Sequence, residues 1–392
     1  MDAESAPADR AERLRAELVD RLRADRLVES ARVEAALRAV PRHLFLPGSS
    51  LEDAYADQPV VTKRAPDGTP RSSASQPAIV ARMLEQLDVQ PGDSVLEVGA
   101  GTGYNAALLT RLGAAVTTLD IDPGIAAEAR SRLAPGTTVV CADGALGYPP
   151  NAPYDRLIVT AGAGDLSPAW LDQLTPTGRI VVPLRIRGLT RSIAFDRDGD
   201  RLTSRSMEVC GFIPMRGAGP DAERSIALRA KDVVLITNAQ HPAKANSLAG
   251  VLDQPRVAVW TKIRLHQAES LEHLDLWLAA LDGACRLFAR RDAVEARLVA
   301  PAGVLGAAAV ANDTSVGYLA LRPHGRSELG CYAHGPDAQR LAERMATAIE
   351  TWHRRGRPQA RITAYPAATP DADLAAGPVI DTPHARLTLS WS

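Results

Sequence analysis

The amino-acid sequence predicts an α/β protein in which a doubly wound, largely parallel sheet is followed by a smaller α+β region. Three observations favour this fold class. Short apolar strands alternate with helical stretches between residues 94 and 183, a glycine-rich turn directly follows the first of these strands, and strand and helix patterns mix beyond residue 223. A chain of 392 residues is also long enough for two domains.

Helices are predicted to precede the sheet. Leucines recur every four residues within 10–27, which is typical of a helix with one buried stripe. Ser30 can cap a second helix, which ends at Pro41. A third helix is expected over the periodic apolar residues 79–87, because Pro77 is tolerated in a first helical turn.

Turn and cap residues separate the predicted strands of the sheet. Asp122 and Pro123 indicate the N-cap and first residue of a helix. Residues 192–195 and 202–209 flank an Asp-Arg-Asp-Gly-Asp turn and predict an antiparallel hairpin. The parallel strands are predicted at 94–98, 115–120, 137–141, 155–160 and 179–183.

A segment rich in glycine and proline at 216–223 predicts a boundary between two domains. The first domain is expected to cover residues 1–218 and the second residues 224–392. The second domain carries no motif that indicates chemistry. Its strands are predicted at 257–260, 317–322, 360–364 and 386–391, and its helices at 271–281 and 337–353.

The composition argues against several classes of function. A formal net charge of -1 without a long basic block gives no reason to expect nucleic acid or a membrane surface as a partner. The 4 cysteines form no CxxC pair, so neither a metal site nor a disulfide scaffold is expected. Neither a signal peptide nor a membrane-spanning apolar run is recognisable, which predicts a cytoplasmic location.

The sequence VLEVGAGTGYN, residues 95–105, combines a strand, a GxGxG turn and a helix start. Gly99, Gly101 and Gly103 allow the backbone to turn sharply and to approach a ligand at the carboxyl end of the strand. Glu97 lies just before this turn. Its carboxylate would repel the pyrophosphate of a dinucleotide, whereas it suits a cationic ligand.

Acidic residues also follow the next two predicted strands. Asp120, followed by Ile121, is placed to accept both hydroxyls of a ribose. Asp143, followed by Gly144, is placed to meet an adenine amino group. With Glu97 they describe a site for S-adenosylmethionine, a nucleoside that carries a sulfonium and an ammonium group but no phosphate. The fold class predicted with such a site is that of the Rossmann-like class I S-adenosylmethionine-dependent methyltransferases, with an added C-terminal α+β domain. The simpler alternative is that these residues are only a glycine-rich turn and acidic helix caps.

Three hydroxyl side chains precede the third helix: Ser72, Ser73 and Ser75. They can act as helix caps or bind a substrate, and a helix N-terminus favours both a cap and an anion. For Ser75 we expect both roles together. Lys63, nearby in sequence, is expected to be solvated.

Residues 40–217 resemble the protein-L-isoaspartate O-methyltransferase family. The matching segments, in order, are VPRHLFLP at 40–47, AYAD at 54–57, SQP at 75–77, the glycine-rich turn at 95–104, APYDRLIVT at 152–160 and GFIPM at 211–215. This resemblance implies methyl transfer from S-adenosylmethionine to an aspartyl or isoaspartyl carboxylate, after which loss of methanol closes a succinimide. It also implies that Ser75 contacts the substrate carboxyl group and that Asp57 has a catalytic role on the substrate side.

Two departures from the family's repair enzymes favour a particular subgroup. Repair enzymes usually carry a Gly-His-Gly loop before the position of Ser75 and end near that of Gly217, whereas this chain does neither. Both departures resemble the subgroup found with ribosomally synthesised modified peptides of the lanthipeptide, graspetide and lasso types, including the FxLD type. This resemblance implies a precursor peptide as partner, with Ser72 and Ser73 as substrate-binding candidates and residues 224–392 as the peptide-recognition domain.

Three functions therefore compete. The first is methylation of a chosen Asp in a cyclised precursor peptide, which leaves an aspartimide or isoaspartate. The second is general repair of isoaspartyl and D-aspartyl proteins, and the third is a peptide-binding scaffold with a vestigial cofactor site. The intact Glu97, Asp120 and Asp143 argue against the scaffold, and the changed loop and the second domain argue against repair. The chemistry requires no general base, because an aspartyl carboxylate is ionised near pH 7.

Overall fold

The computed structural model describes residues 7–217, 223–238, 241–244, 246–266, 269–304, 306–322 and 327–392. Two compact units are distinguished by the contacts between these residues. The first unit contains residues 7–184, 190–217 and Ala364–Pro366. The second contains Arg185–Leu189, the described residues of 223–363, and Ala367–Ser392.

The first unit starts with helices and continues as alternating strands and helices. Its helices are α1 (Pro7–Ala24), α2 (Ala31–Ala39), α3 (Leu51–Tyr55), α4 (Pro77–Leu87), α5 (Tyr104–Arg111), α6 (Pro123–Arg132) and α7 (Pro168–Asp172). The strands in this part of the chain are β1 (Val60–Arg64), β2 (Pro70–Ala74), β3 (Ser94–Val98), β4 (Ala115–Asp120), β5 (Thr138–Cys141), β6 (Tyr154–Val159), β7 (Leu174–Ile186), β8 (Leu189–Asp198) and β9 (Arg201–Val209).

The main sheet of this unit has the strand order β9-β8-β7-β6-β3-β4-β5. Strand β3 pairs in parallel with β4 and β6, and the outer pairs β4/β5 and β6/β7 are parallel too. Strands β8 and β9 form the predicted antiparallel hairpin. The predicted α/β fold class is confirmed. Because the chain order reverses at β3, a ligand is expected at the carboxyl ends of β3, β4 and β6.

Local sequence explains why these elements form where they do. Strands β3 and β6 bury Val95 and Leu157 completely, as expected for central parallel strands that are covered on both faces. Helix α4 has Pro77 at its first position, where the missing N–H group costs nothing. Helix α6 begins after Asp122, whose carboxylate accepts hydrogen bonds from the first-turn N–H groups.

The N-terminal helices pack on the sheet domain through one apolar core. Helix α1 contacts α2, which in turn contacts α4 and α5. The leucines Leu18, Leu22, Leu37, Leu84 and Leu108 are buried in this shared cluster. Each such burial contributes about 1.5–3 kcal/mol, so this helical layer is an integral part of the unit.

A hairpin formed by β1 and β2 lies between the helical layer and α4 in sequence, where the sequence predicted only a loop. Most of β1 is exposed. Its sequence therefore lacks the alternation of apolar and polar residues that would predict a strand. Lys63, expected to be solvated, instead places its ammonium group 2.7 Å from the carboxylate of Asp122. This ion pair holds the hairpin against the start of α6.

The second unit is built on an antiparallel sheet with the order β10-β11-β13-β14-β15-β16-β12. Two core clusters stabilise it; one includes Leu274 and Met345 from its helices, and the other includes Leu235 and Tyr318. Its helices are α8 (Glu272–Ala279), α9 (Arg291–Glu295) and α10 (Ala338–Arg354). The strands in this part of the chain are β10 (Glu223–Arg229), β11 (Val233–Asn238), β12 (Val257–Arg264), β13 (Ala284–Ala289), β14 (Gly306–Ala311), β15 (Val316–Arg322), β16 (Glu328–His334), β17 (Ala360–Pro366), β18 (Val379–Asp381) and β19 (Ala385–Trp391). The last three residues of β17 belong to the first unit.

The predicted domain limits and the observed units differ in detail. Residues 218–222 of the predicted boundary lie outside the described residues. Arg185–Leu189, predicted in the first domain, cluster with the second unit, and Ala364–Pro366 cluster with the first. Among the described helices, none combines the length and apolar character needed to cross a bilayer.

Candidate active site

The glycine-rich turn between β3 and α5 forms the floor of the candidate site. Gly99, Gly101 and Gly103 all have positive φ angles, of 104°, 53° and 88°. A side chain at Gly99 would also place its Cβ 2.6 Å from Oγ1 of Thr160, which donates a hydrogen bond to the Gly99 carbonyl. The turn therefore requires glycine for both backbone conformation and close packing against the end of β6.

Glu97 is completely buried at the end of β3. Its carboxylate accepts hydrogen bonds from Nδ2 of Asn105 at 2.8 Å and from Oγ1 of Thr118 at 2.5 Å. Burial outweighs these two hydrogen bonds and raises the pKa of Glu97 to about 7. A cation bound beside this carboxylate would supply the charge that the surrounding residues lack.

Asp120 ends strand β4 and faces the same crevice. One carboxylate oxygen accepts a hydrogen bond from the backbone N–H of Gly101 at 3.1 Å, and the other accepts one from Asp122 at 3.0 Å. These bonds orient the carboxylate and leave lone pairs on both oxygens. Ile121, the next residue, is partly exposed and lines the crevice.

The third predicted acidic residue is placed differently. Asp143 accepts a hydrogen bond from the N–H of Ala145 at 2.9 Å, and its carboxylate packs against Gly217. It is not among the residues that line the crevice, whereas its neighbour Gly144 is. The Asp143 carboxylate thus caps the short turn after β5, and its contact with an adenine amino group stays a prediction. Gly144 permits the close approach to β3, since a Cβ there would lie 2.3 Å from Val98.

These elements surround one open cavity at the carboxyl ends of the central strands. The predicted cofactor residues in its lining are Glu97, Gly99, Gly101, Asp120, Ile121 and Gly144. Gly103 instead caps α5 behind the lining. A buried carboxylate, a second carboxylate one strand away and a glycine turn fit the sulfonium, ammonium and ribose groups of S-adenosylmethionine. These residues would hold that cofactor.

The three candidate substrate residues Ser72, Ser73 and Ser75 all line this cavity. Oγ of Ser72 is buried and accepts a hydrogen bond from Oγ1 of Thr62 across the hairpin at 3.2 Å, so it supports the hairpin. The carbonyl of Ser73 lies 3.9 Å from the position of a Cβ at Gly101. The hairpin therefore reaches the glycine-rich turn.

Ser75 is not the N-cap of α4, contrary to the prediction that it combines both roles. The N-cap is Gln76. The first N–H group of the helix, that of Ala78, donates a hydrogen bond to Oδ1 of Asp57 at 2.8 Å. Within the described residues, the Ser75 hydroxyl has no hydrogen-bond partner, and its carbonyl accepts a bond from Arg42. Its hydroxyl is thus available to a ligand in the cavity.

Asp57, the second predicted catalytic residue, does not line the cavity. In addition to Ala78, its carboxylate accepts a hydrogen bond from Nε2 of Gln76 at 2.9 Å. An acidic side chain from the segment after α3 therefore completes the start of α4, where a negative charge is favoured. In this structure Asp57 positions the segment after Ser75, and its catalytic role stays a prediction.

Replacing Asp57 by Ala is expected to lower the free energy of unfolding by about 1 kcal/mol, because the start of α4 loses its cap. Asp57→Asn should retain most of this stability. Urea unfolding of both variants, together with turnover, checks the assignment. Abolished turnover at unchanged stability in Asp57→Ala would instead support a direct catalytic role.

Two contributors to this site were not predicted from the sequence. Arg42 lies in the cavity wall, and Lys63 secures the hairpin through Asp122. Both act through partners that are distant in sequence, so no local pattern indicates them. The match of VPRHLFLP to a known family is the signal that could have directed attention to Arg42.

Comparison with known proteins supports the same chemistry. The chain is 42% identical over 207 residues to a protein-L-isoaspartate O-methyltransferase of Methanoregula boonei, covering 52% of this chain and 93% of the relative. It is 40% identical over 216 residues to the protein of the same name from Methylorubrum extorquens, covering 54% of this chain and 92% of the relative.

A solved structure titled protein-L-isoaspartate O-methyltransferase superposes with a TM-score of 0.50 at 20% identity. The superposition covers 89% of this chain and 96% of that one, so the similarity in fold continues past residue 217. The family model for protein-L-isoaspartate(D-aspartate) O-methyltransferase matches residues 12–219. The chain is therefore an S-adenosylmethionine-dependent carboxyl O-methyltransferase and belongs to the protein-L-isoaspartate(D-aspartate) O-methyltransferase family.

Proposed function

We propose that this methyltransferase modifies one Asp side-chain carboxylate of a cyclised, ribosomally synthesised precursor peptide of the lanthipeptide, graspetide or lasso type. The resulting methyl ester is attacked by the backbone nitrogen of the following residue. A C–N bond forms, the ester C–O bond breaks and methanol leaves, which gives an aspartimide. Hydrolysis of the aspartimide then gives isoaspartate.

The hairpin of β1 and β2 is the observation that carries this proposal. It ends directly before Ser75 and contributes Ser72 and Ser73 to the cavity lining. Its sequence lacks the Gly-His-Gly segment that repair enzymes usually carry before the position of Ser75. A hairpin held at both strands offers a fixed surface to a substrate of fixed shape. This favours a constrained peptide over the varied and flexible sites at which proteins are damaged.

The chain's own residues have a limited chemical task. S-adenosylmethionine supplies an electrophilic methyl group on a sulfonium centre. The acceptor carboxylate is already ionised near neutral pH, so the site must orient it without protonating it. In the proposal, the hydroxyl of Ser75 donates a hydrogen bond to one carboxylate oxygen and leaves the other free to attack.

Recognition of the peptide is proposed for residues 224–392. The residues that support methyl transfer all lie in the first unit, which leaves the second unit available for another task. The presence of the second unit does not discriminate between modification of a precursor peptide and repair of isoaspartyl proteins. A structure titled protein-L-isoaspartate O-methyltransferase is similar in fold over most of this chain. The hairpin is therefore the more discriminating feature.

General repair of isoaspartyl proteins is the second candidate function. The names of the curated relatives favour it, and the alignments cover almost their whole length. A scaffold with a vestigial site is not retained, because the chain belongs to a family of enzymes.

The ion pair between Lys63 and Asp122 gives a test of the hairpin's role. Lys63→Met is expected to raise KM for the peptide about twofold to fivefold and to leave kcat within about twofold, because a partly exposed pair contributes up to about 1 kcal/mol. Asp122→Asn, which keeps a capping side chain, should have the same effect. In the double variant the two effects should not add. Additive effects would mean that the pair does not act as a unit.

The decisive experiment offers the purified full chain two substrates with methyl-labelled S-adenosylmethionine. One is a linear isoaspartyl peptide, and the other is a cyclised Asp-containing precursor encoded by a neighbouring gene. The first proposal expects the precursor to gain a methyl group and then to show a net loss of one water. Efficient methylation of unrelated isoaspartyl peptides, without preference for the precursor, would contradict it and support repair. Ser75→Ala serves as the matched control for labelling at this site.

A further inference from the structure

Arg42 is a buried cation in the wall of the cavity. The acceptor pocket is the part of this cavity beside Ser75, where the acceptor carboxylate is proposed to bind. Arg42 belongs to a short 3₁₀ helix, Arg42–Phe45, and lines the same cavity as Ser75. Its side chain is only 1% exposed. Arginine is almost never buried to this extent unless its charge is paired.

The contacts of this guanidinium group are made with uncharged partners. Nε donates to the carbonyl of Ala54 at 2.9 Å, and Nη2 donates to the carbonyl of Ser75 at 2.9 Å. The group also lies over the ring of Tyr104, 5.1 Å from its centroid. Nη1 is buried without an acceptor in the described part of the chain. The negative charge of Asp57 is close enough to act on Arg42, but that carboxylate is hydrogen-bonded to Gln76 and Ala78 at the start of α4. Burial lowers the pKa of Arg42, although an arginine remains charged.

A buried charge without a counter-ion is costly, because neutral acceptors replace only part of the lost hydration. This unfavourable burial of the Arg42 charge occurs next to Ser75, whose hydroxyl is proposed to bind an anionic substrate. The carboxylates of Glu97 and Asp120 line the same cavity and are assigned to the cofactor. An acceptor carboxylate that enters beside Ser75 would bring a further negative charge to the guanidinium group of Arg42. Substrate binding would then offset the buried positive charge of Arg42, which has no directly bonded carboxylate among the described residues of the free enzyme.

We propose that Arg42 is a positioning residue that makes the acceptor pocket selective for a carboxylate over a neutral amide. It fixes the backbone of Ser75 through Nη2, and thereby fixes the direction of the hydroxyl. Its charge attracts the carboxylate through space. This inference rests on the proposed contact between Ser75 and the acceptor carboxylate.

The buried position of Nη1 is consistent with this indirect role. A guanidinium group that gripped the carboxylate through two hydrogen bonds would stabilise the ground state and reduce the nucleophilicity of both oxygens. In this structure the unpaired nitrogen is covered by protein, so the charge acts without such a direct bond. Arg42 can therefore attract the acceptor carboxylate without reducing the nucleophilicity of its oxygens.

The test compares the better substrate of the two peptides described above with its analogue in which the acceptor carboxylate is a carboxamide. Binding of each is measured on the protein loaded with S-adenosylhomocysteine. The wild type is expected to prefer the carboxylate by about 30-fold, and Arg42→Met should reduce this preference to about threefold. Arg42→Lys keeps the charge but not the planar fork, so it should retain most of the preference while kcat falls about tenfold.

Arg197→Met is the matched control, because Arg197 also donates to backbone carbonyls but lies outside the cavity lining. It should lower stability without changing the preference for the carboxylate. A folded Arg42→Met that binds S-adenosylhomocysteine and keeps the full preference would overturn the inference about Arg42 alone. If Arg42→Met does not fold, Arg42→Lys with unchanged kcat would overturn it. A wild type that binds both peptides equally would overturn the proposed role of Ser75 as well.

Discussion

Replacing Ser75 by Ala is expected to lower kcat for methyl transfer about 100-fold, comparable with the loss of one well-placed hydrogen-bond donor at a reacting group. The hydroxyl faces the cavity and, among the described residues, is not engaged by the protein. Its removal should therefore leave the stability of the fold and the dissociation constant of S-adenosylmethionine within about twofold of the wild type. Single-turnover methylation and calorimetric titration with the cofactor measure the two quantities separately.

Two further variants keep this result interpretable. Ser75→Thr preserves the hydroxyl and is expected to recover activity to within about tenfold of the wild type. Ser72→Ala removes a hydroxyl that is bonded across the hairpin to Thr62, so it should raise KM more than it lowers kcat. Unchanged single-turnover rates in Ser75→Ala would exclude a role for this hydroxyl in orienting the acceptor.

Replacing Glu97 by Gln is expected to have two opposite effects. Affinity for S-adenosylmethionine should fall about 100-fold, because a buried carboxylate that faces a cation is lost. The ligand-free protein should nevertheless become more stable at about pH 8. The shift of the Glu97 pKa from 4.5 to about 7 corresponds to about 3 kcal/mol of destabilisation above neutrality.

The sign follows from proton binding in the two states. The folded pKa is raised above the unfolded value, so between 4.5 and about 7 the native state keeps a proton that the unfolded chain has lost. Stability of the ligand-free enzyme therefore falls as pH rises through this window. The advantage of Glu97→Gln over the wild type should disappear below the unfolded pKa, and thermal unfolding at several pH values will show this.

Cofactor affinity should show the reverse dependence on pH. A cationic ligand prefers the ionised carboxylate, so the dissociation constant of S-adenosylmethionine should fall as pH rises towards about 7 and then level off. Thr118→Val removes a hydrogen bond that lowers the Glu97 pKa. The midpoint of the profile should therefore move to higher pH in that variant. A flat profile in the wild type would contradict the role assigned to Glu97.

Much of the fold and of the cofactor site could be predicted because the relevant signals are local. The apolar strands, the glycine turn and the cap at Asp122 each depend on residues that are close in sequence. Glu97 and Asp120 follow the same logic, because carboxyl ends of adjacent parallel strands meet at one edge of a sheet. Asp143 shows the limit of this reasoning, since it caps a turn through Ala145 and is not in the cavity lining.

The acceptor side could not be predicted in the same way because it depends on contacts between distant segments. Asp57 caps a helix that begins 20 residues later, at Pro77. Arg42 reaches the carbonyl of Ser75 across 33 residues, and Lys63 reaches Asp122 across 59. The exposed strand β1 has too few buried positions for an apolar pattern. In the second unit, β14 (Gly306–Ala311) is fully buried but rich in alanine, which lacks the β-branched signal of a strand.

Ala364–Pro366 belong to the first unit although about 140 residues of the second unit precede them. During translation, at roughly 5–20 residues per second, the first unit is therefore made roughly 7–30 s before its last segment leaves the ribosome. A nascent chain that has passed residue 217 is still missing one piece of the unit that carries the active site. Synthesis order thus couples completion of the catalytic unit to synthesis of nearly the whole polypeptide.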